Sequence, residues 1–356
     1  MPNALLRSFN DDAANLTAKI VVIAVLLVAA NVAAWAWALA AFHNHPLLLG
    51  TCVLAYSFGL RHAVDADHIA AIDNVTRKLM QEGKRPLTVG LFFSLGHSTV
   101  VILATIGIAL AAATFKDELE AFRDVGGLIG TSVAATFLLV IAAVNVVILV
   151  NVFRAFRRVK QGGPYVAEDL VPANGGFFTR IFRKLFGLIG RSWHMFPLGF
   201  LFGLGFDTAT EIGLLAIAAT EASSGLPIWS ILVFPALFTA GMTLIDTINS
   251  MLMTGAYGWA FQKPLRKLYY NLTITFISVV VAVVIGGALA LGLIAEKFDL
   301  HGRLWDAVGH INDIGILGFV IVGVFVASWL VSILIYRLKG YDRIETAPPP
   351  GMQPAE

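Results

Sequence analysis

The sequence predicts an all-α, polytopic membrane protein with about eight transmembrane helices and both termini in the cytoplasm. Hydrophobic residues make up 58% of the 356 residues and charged residues only 13%, whereas soluble domains carry about 25% charged residues. Apolar runs recur along the whole chain, and each is long enough to cross a hydrocarbon core of about 30 Å as a helix. Lysine and arginine residues concentrate in alternate connections, as expected when the basic connections stay in the cytoplasm.

Eight apolar segments divide the chain, and we predict one transmembrane helix for each. They cover residues 18–42, 47–72, 87–113, 126–152, 194–220, 227–254, 268–295 and 312–337. The first segment is longer than the roughly 7–15 apolar residues of a signal-peptide core, which predicts a retained span rather than a cleaved leader. Residues 1–356 are therefore predicted to form a single membrane permease domain.

The positions of the 25 lysine and arginine residues set the orientation of these helices. If the N-terminus is cytoplasmic, twenty of them fall on the cytoplasmic side, four fall outside, and Arg61 lies within the second segment. This bias predicts eight spans with both termini inside. Residues 153–193, a basic and glycine-containing stretch between the fourth and fifth spans, are predicted to be a cytoplasmic loop near anionic lipid. Residues 344–356, which include three consecutive prolines, are predicted to be a disordered tail.

The sequence lacks the signatures of several other protein classes. Cys52 is the single cysteine, which excludes an internal disulfide framework and a cysteine-based zinc module. No phosphate-binding G-x-x-x-x-G-K-[ST] string occurs, so neither an ATPase module nor an ATPase subunit is implied. The net charge of +2 does not indicate a nucleic-acid partner. The lipid bilayer is a predicted partner, no cofactor is predicted, and the oligomeric state stays open.

The stretch from Arg61 to Ile69, with the sequence RHAVDADHI, places five ionisable side chains in nine residues of an otherwise apolar segment. Charged groups at membrane depth persist only where they are paired, solvated or functional. At about 100° per residue, His62, Asp65 and His68 share one face of a helix and Asp67 lies off it. Two imidazoles with a carboxylate suit a divalent transition-metal ion, whereas an oxygen-only set would suit magnesium or calcium. The alternative is a structural cluster in which the histidines pack between helices and the aspartates pair with the arginine.

Polar residues lie at comparable depth in three other predicted spans. The third span carries a histidine beside hydroxyls, the fifth carries two carboxylates four residues apart on one helix face, and the sixth carries an aspartate near a threonine and an asparagine. The small residues around the histidine would equally suit a helix contact. The metal ligands predicted from all four spans are His62, Asp65, Asp67, His68, His97, Asp207, Glu211 and Asp246. The predicted supporting residues are Ser98, Thr99, Thr208, Thr210, Thr247 and Asn249.

These four polar stretches resemble, in order, the signature motifs of the nickel/cobalt transporter family of bacterial and fungal permeases. The matching stretches are RHAVDADHI at 61–69, GHSTVV at 96–101, LGFDTATE at 204–211, and Gly241, Met242, Asp246 and Thr247 in the sixth span. Asn249 stands where the family motif usually has an aspartate, which removes one possible anionic ligand. The family signature includes Asp67, and a break in the helix near the cluster would reconcile this with its position on the helical wheel.

The resemblance implies an eight-span permease that takes up Ni²⁺, and often Co²⁺, with high affinity across the cytoplasmic (inner) membrane of a bacterium. The ion is the transported substrate, not a resident cofactor. An efflux permease of related fold is an alternative, because no motif sets the direction of transport. An intramembrane metalloenzyme is less favoured, since it needs an activated water at the metal and no H-E-x-x-H string is present. A purely structural protein is the remaining alternative. Because a permease is the favoured class, we predict that the protein is not an enzyme.

Overall fold

A computed structural model describes residues 9–111, 116–161, 163, 189–204, 209–260, 264–313 and 317–339 of the chain. Within these ranges the regular secondary structure is helical and contains no β-strand. In chain order the α-helices are α1 (Leu16–Phe42), α2 (Pro46–His62), α3 (Ala66–Gln81), α4 (Val89–Ala111), α5 (Lys116–Lys160), α6 (Met195–Gly203), α7 (Ala209–Ser223), α8 (Ile228–Ile231), α9 (Val233–Ala260), α10 (Pro264–Lys297), α11 (Arg303–Asp313) and α12 (Leu317–Leu338). A 3₁₀ turn at Ser192–His194 precedes α6. The predicted all-α fold is confirmed.

Five of the described helical stretches are long and apolar enough to cross a membrane. They are Leu16–Phe42, Val89–Leu110, Thr131–Lys160, Ile228–Gly258 and Leu268–Lys297. The bent pair of α2 and α3 gives a sixth crossing if it counts as one span. The predicted fifth and eighth spans include residues 205–208 and 314–316, which lie outside the described ranges, as does the predicted tail 344–356. The membrane-spanning class is confirmed, whereas the count of eight spans and the cytoplasmic termini stay predictions.

Two predicted boundaries differ from the structure. The predicted loop 153–193 begins as helix, because α5 continues to Lys160, and its residues 164–188 lie outside the described ranges. The predicted second span, 47–72, is instead α2 followed by α3, which runs on to Gln81. Both extensions contain polar and charged residues that continue a helix, and a criterion based on apolar runs cannot detect them.

The break between α2 and α3 falls inside the charged stretch. α2 ends at His62, α3 begins at Ala66, and the two helices are bent by 49° relative to each other. Asp65, which lies between them, has extended backbone angles of φ −68° and ψ 147°. A single helical wheel therefore does not apply across the stretch. This break reconciles the family signature, which includes Asp67, with the position of Asp67 off the helix face of the histidines. Discontinuous helices commonly form the substrate sites of transporters.

A buried polar network fixes the second half of α3 to its neighbours. The Asp73 carboxylate accepts hydrogen bonds from the hydroxyls of Tyr257 in α9 and Ser278 in α10, the latter at 2.6 Å. Arg77, one turn later, donates to the Thr275 hydroxyl of α10 at 2.8 Å. Both charged residues are at most 1% exposed, so these hydrogen bonds replace part of the water that each has lost. α3 is thereby held against α9 and α10 by specific polar contacts.

We expect Asp73→Ala to lower the stability of the protein. The substitution removes the acceptor that two buried hydroxyls share, and a buried donor that loses its partner costs about 1–3 kcal/mol. The unfolding temperature of the detergent-solubilised protein should therefore fall by several degrees. Ser278→Ala is the matched control, since it removes one of the two donors and should cost less. An unchanged unfolding temperature for Asp73→Ala would contradict the stabilising role of the network.

Glycines allow the helices around the charged stretch to approach one another closely. A side chain at Gly96 of α4 would collide with the backbone carbonyl of Phe196 in α6, and one at Gly90 would collide with that of Asp246 in α9. Backbone atoms cannot swing aside as flexible side chains can, so these two contacts require glycine. Small residues serve the same purpose at helix contacts in other membrane proteins. α4, which carries His97, is therefore held at close range by both α6 and α9.

Candidate metal-binding site

Three histidines from three helices converge in the interior of the bundle. His62 ends α2, His68 lies in the first turn of α3, and His97 lies in α4. These residues are 1%, 0% and 3% exposed, respectively. One ligand nitrogen of each ring lies within 4.8 Å of the other two. Nitrogen atoms bound to one ion at about 2.1 Å can be at most about 4.2 Å apart, so small movements of the rings suffice to hold a single ion.

Each of the three histidines contacts its own carboxylate. The pairs are His62 Nδ1 with Asp65 Oδ2 at 2.9 Å, His68 Nδ1 with Asp246 Oδ2 at 3.3 Å, and His97 Nε2 with Glu211 Oε1 at 2.7 Å. Glu211 and Asp246 are 1% and 0% exposed. Carboxylates at membrane depth face the interior of a bundle and need partners there. The cluster therefore concentrates nitrogen and carboxylate groups in a space withdrawn from bulk water.

The carboxylates set the proton positions on two of the rings. An ionised carboxylate only accepts hydrogen bonds, so Asp65 and Asp246 each favour a proton on the Nδ1 atom that they face. The lone pair of each neutral ring then lies on Nε2. His62 Nε2 is 2.9 Å from His97 Nε2, and His68 Nε2 is buried with no hydrogen-bond partner among the described residues. A metal ion inside the cluster would meet both Nε2 lone pairs.

Asp65 serves two partners and leaves the start of α3 uncapped. It occupies the N-cap position, where aspartate usually accepts a backbone hydrogen bond, but its side chain makes no such bond in the described structure. Its Oδ1 instead pairs with the Arg61 guanidinium, while its Oδ2 contacts His62. The pairing with Arg61 is expected from a structural cluster, whereas the contact with His62 is expected from a metal site. Side-chain exposures of 32% for Arg61 and 15% for Asp65 place this pair at the edge of the cluster.

Asp67 and Thr210 border the cluster. Asp67 lies in the first turn of α3, where the helix dipole favours a carboxylate, and it interacts electrostatically with His62 and His68. The Thr210 hydroxyl lies 3.1 Å from His62 Nδ1, and Glu211 follows it in α7. Asp67 therefore contributes negative charge beside the two rings, although it lies off their face on a continuous helical wheel.

The structure does not bring every predicted supporting residue to the cluster. The Thr99 and Thr247 hydroxyls donate to backbone carbonyls one turn earlier in their own helices, at 2.7 and 2.6 Å. Asn249 is partly buried on α9. The Ser98 hydroxyl is buried and finds no hydrogen-bond partner within the described ranges. The predicted site residues that lie outside the described ranges are Asp207 and Thr208.

Two residues that the sequence did not assign to the site complete the surroundings of His68. Phe93 packs against its ring in a T-shaped arrangement, with ring centroids 4.7 Å apart and an interplanar angle of 88°. Ser94 donates a hydrogen bond of 2.6 Å to Asp246 Oδ2, the atom that His68 Nδ1 also faces. The spacing of three between Ser94 and His97 puts both on one face of α4. That spacing is the available signal, but serine is too common at helix contacts for it to be decisive.

An apolar cluster packs beside His62, between α2 and the ends of α1 and α9 that are predicted to face the periplasm. Phe42, at the end of α1, stacks on Phe234 with ring centroids 5.7 Å apart. Phe238, one turn further along α9, has its ring centroid 5.5 Å from that of His62. All three phenylalanines are at most 2% exposed. These rings therefore form a buried apolar group that reaches from the end of α1 to His62.

Known proteins similar to this chain are named for nickel and cobalt transport. A family model described as high-affinity nickel-transport protein matches residues 48–335. A high-affinity nickel transport protein of Cupriavidus necator is 62% identical over 331 residues, which cover 92% of this chain and 94% of that protein. The nickel transporter NixA of Staphylococcus aureus is 46% identical over 85% of this chain and 88% of that protein. The cobalt transport protein NhlF of Rhodococcus rhodochrous is 41% identical over 82% of this chain and 84% of that protein. No solved structure matches the chain.

Proposed function

Because this chain belongs to the family of high-affinity nickel-transport proteins, we propose that it carries Ni²⁺ into the cell across the cytoplasmic membrane as a secondary permease. The observation that carries the proposal is the buried group of His62, His68 and His97, each paired with a carboxylate among apolar helices. Co²⁺ is proposed as a second substrate, since a relative at 41% identity is named a cobalt transport protein. The protein is proposed to reside in a bacterial inner membrane as a multi-pass permease, with no cofactor and no catalytic step.

The proposed site binds the ion through the three imidazoles and Glu211. Imidazole nitrogen suits Ni²⁺ among the divalent metals, and a carboxylate adds compensating charge. Glu211 Oε1 lies 2.7 Å from His97 Nε2 and 3.9 Å from His62 Nε2, so it borders the space between those two atoms. Ligand atoms bind metal in their deprotonated form, so the ion would replace a proton held between the two Nε2 atoms. Asp65 and Asp67 are proposed to balance charge at the edge of the site.

The proposed transport cycle uses the break between α2 and α3 as its moving part. His62 and His68 lie on opposite sides of the break, so an ion that binds both rings ties the two helices together. The phenylalanines beside His62 would part to admit an ion from outside, and α3 leads from the site toward the predicted cytoplasmic side. Alternating access around a central site between discontinuous helices is common among secondary transporters. An inside-negative potential favours entry of a divalent ion by about 4.6 kcal/mol per 100 mV, a driving force that needs no ATP.

Uptake of radiolabelled Ni²⁺ into proteoliposomes tests the proposed function. The purified full-length protein is reconstituted, and a potassium gradient with valinomycin sets an inside-negative potential. We expect saturable accumulation that increases with the potential and that excess Co²⁺ reduces more than excess Mg²⁺, since Mg²⁺ prefers oxygen ligands. Empty liposomes and a reversed potential are the controls. Uptake no greater than that of empty liposomes, with protein that circular dichroism shows to be helical, would contradict the proposal.

A further inference from the structure

His68 is held on two sides inside the bundle. The residue is 0% exposed, and its ring centroid lies 4.7 Å from that of Phe93. Its Nδ1 lies 3.3 Å from Oδ2 of Asp246, which is also 0% exposed. The other ring nitrogen, Nε2, is buried and has no hydrogen-bond partner in the described part of the chain. One edge of the ring is therefore anchored, and the other is available to a ligand.

The anchoring carboxylate is itself held by Ser94. The Ser94 hydroxyl donates a hydrogen bond of 2.6 Å to Asp246 Oδ2, the same oxygen that faces His68. Serine and threonine in membrane helices often bond to the carbonyl four residues earlier, as Thr99 does with Leu95 in the same helix. Ser94 is 0% exposed and directs its hydroxyl across to α9 instead. These side-chain contacts link α4, α9 and α3 at the site.

The contacts fix which nitrogen of His68 is available to a metal. Asp246 Oδ2, when ionised, accepts from both Ser94 Oγ and His68 Nδ1, which keeps the ring proton on Nδ1 and the lone pair on Nε2. Carboxylates that accept from the remote nitrogen of a metal-binding histidine fix its tautomer and its orientation. We infer that Asp246 acts on the transported ion through His68 rather than as a ligand, and that Ser94 positions Asp246. The inference rests on the proposed function, because it assigns roles within the same site.

Direct binding of the ion by Asp246 is the competing assignment. Its second oxygen, Oδ1, is buried and has no hydrogen-bond partner among the residues described, so one carboxylate oxygen is available. Two observations favour the positioning role. Asp246 faces the Nδ1 edge of His68, which is the edge away from Nε2. Glu211 already lies within 3.9 Å of the Nε2 atoms of both His62 and His97 and supplies the carboxylate on the ligand side.

The affinity of the full-length protein for Ni²⁺ in detergent, measured by isothermal titration, tests the inference. We expect Asp246→Ala to weaken binding about 10–100-fold and Ser94→Ala about 3–10-fold. Because Ser94 acts through Asp246, Ser94→Ala should have no further effect when it is added to Asp246→Ala. Ser250→Ala is the matched control. Ser250 lies on α9 and, like Ser94, is 0% exposed. Its hydroxyl donates to the Leu87 carbonyl and not to Asp246, so its loss should leave the affinity for Ni²⁺ unchanged.

X-ray absorption at the nickel edge reports the number and type of ligands on the bound ion, which a merely structural role of Asp246 would leave unchanged. The positioning role predicts that Asp246→Ala removes one imidazole from the coordination sphere, because His68 is no longer held with Nε2 toward the ion. An unchanged number of imidazoles with one oxygen ligand fewer would show that Asp246 binds the ion directly and would overturn the inference. Asp246→Leu, which also removes both oxygens but keeps a side chain of similar length, provides the same comparison if the alanine variant does not fold.

The outcomes separate failure of this inference from failure of the proposed function. The expected result is weaker binding by Ser94→Ala than by Ser250→Ala, with both variants equally helical by circular dichroism. If the wild-type protein binds Ni²⁺ and the two serine variants bind it equally well, Ser94 has no positioning role and the inference fails while the proposed function stands. If the wild-type protein binds no Ni²⁺, both fail together.

Discussion

Replacement of His62 by alanine should reduce the initial rate of nickel uptake at limiting Ni²⁺ by about 100-fold or more. Loss of a residue that only supports a metal ligand typically costs about 10–100-fold, and loss of the ligand itself should cost at least the upper value. His62 is central to the cluster, since its Nδ1 lies 2.9 Å from Asp65 and its Nε2 lies 2.9 Å from His97. The substitution removes a ligand and also takes a partner from a carboxylate inside the membrane. Uptake of radiolabelled Ni²⁺ by whole cells, normalised to the amount of protein in the membrane fraction, measures the effect.

The matched control for this prediction is His301→Ala, which makes the same substitution away from the cluster. The side chain of His301 is 81% exposed and lies 3.1 Å from the carboxylate of Asp299, whose side chain is 92% exposed. We expect wild-type uptake from this variant, because exposed ion pairs contribute little to stability and the residue is remote from the rings. Wild-type uptake by His62→Ala at normal protein levels would show that the histidine cluster is structural.

A second large effect is expected from Gly96→Ala, which adds one methyl group next to His97. The new Cβ would collide with the backbone carbonyl of Phe196 in α6, so α4 and α6 must separate. Overpacking of this kind costs about 1–3 kcal/mol, and the separation moves His97 relative to its partners. We expect the nickel uptake rate per folded protein to fall more than about 10-fold, since a ligand displaced by an ångström no longer meets the other two.

Gly107→Ala is the control for the glycine prediction, because Gly107 lies on the same helix and a Cβ there meets nothing within 4 Å. The same change in composition and helix propensity is therefore made without the collision. Uptake and unfolding temperature of Gly107→Ala should stay close to those of the wild-type protein. Equal uptake by the Gly96→Ala and Gly107→Ala variants would mean that close approach of α4 and α6 is not needed to place His97.

The all-α class, and the stretches that supply the candidate site, could be predicted because a bilayer imposes strong constraints on sequence. A helix that faces lipid must be apolar along its length, so the prediction 18–42 matches α1 at Leu16–Phe42, and the prediction 268–295 matches the apolar part of α10 at Pro264–Lys297. Charged groups are costly in such segments, which is why the histidines of RHAVDADHI stand out. The break in the helix at this stretch is predicted on a different basis, because the family signature includes Asp67 although this residue lies off the helix face that the histidines share.

Pairings between distant helices could not be predicted from the sequence. Asp73 bonds to Tyr257, which lies 184 residues away, and no local pattern shows that its charge is satisfied inside the bundle rather than in a loop. His97 and Glu211, separated by 114 residues, were both predicted as site residues, but their contact depends on how α4 and α7 pack. Ser94 was not predicted as a site residue for the same reason, because its contact with Asp246 depends on how α9 packs beside α4.

The number of nickel ions bound per chain tests the proposed site most directly. Purified full-length protein is dialysed against micromolar Ni²⁺, and the bound metal is counted by mass spectrometry relative to the protein. We predict one Ni²⁺ per chain for the wild-type protein. We predict none above background for a variant in which His62, His68 and His97 are all alanine, provided that circular dichroism shows it to be as helical as the wild type. One Ni²⁺ per chain retained by that folded triple variant would contradict the proposed site, because the ion would then bind elsewhere.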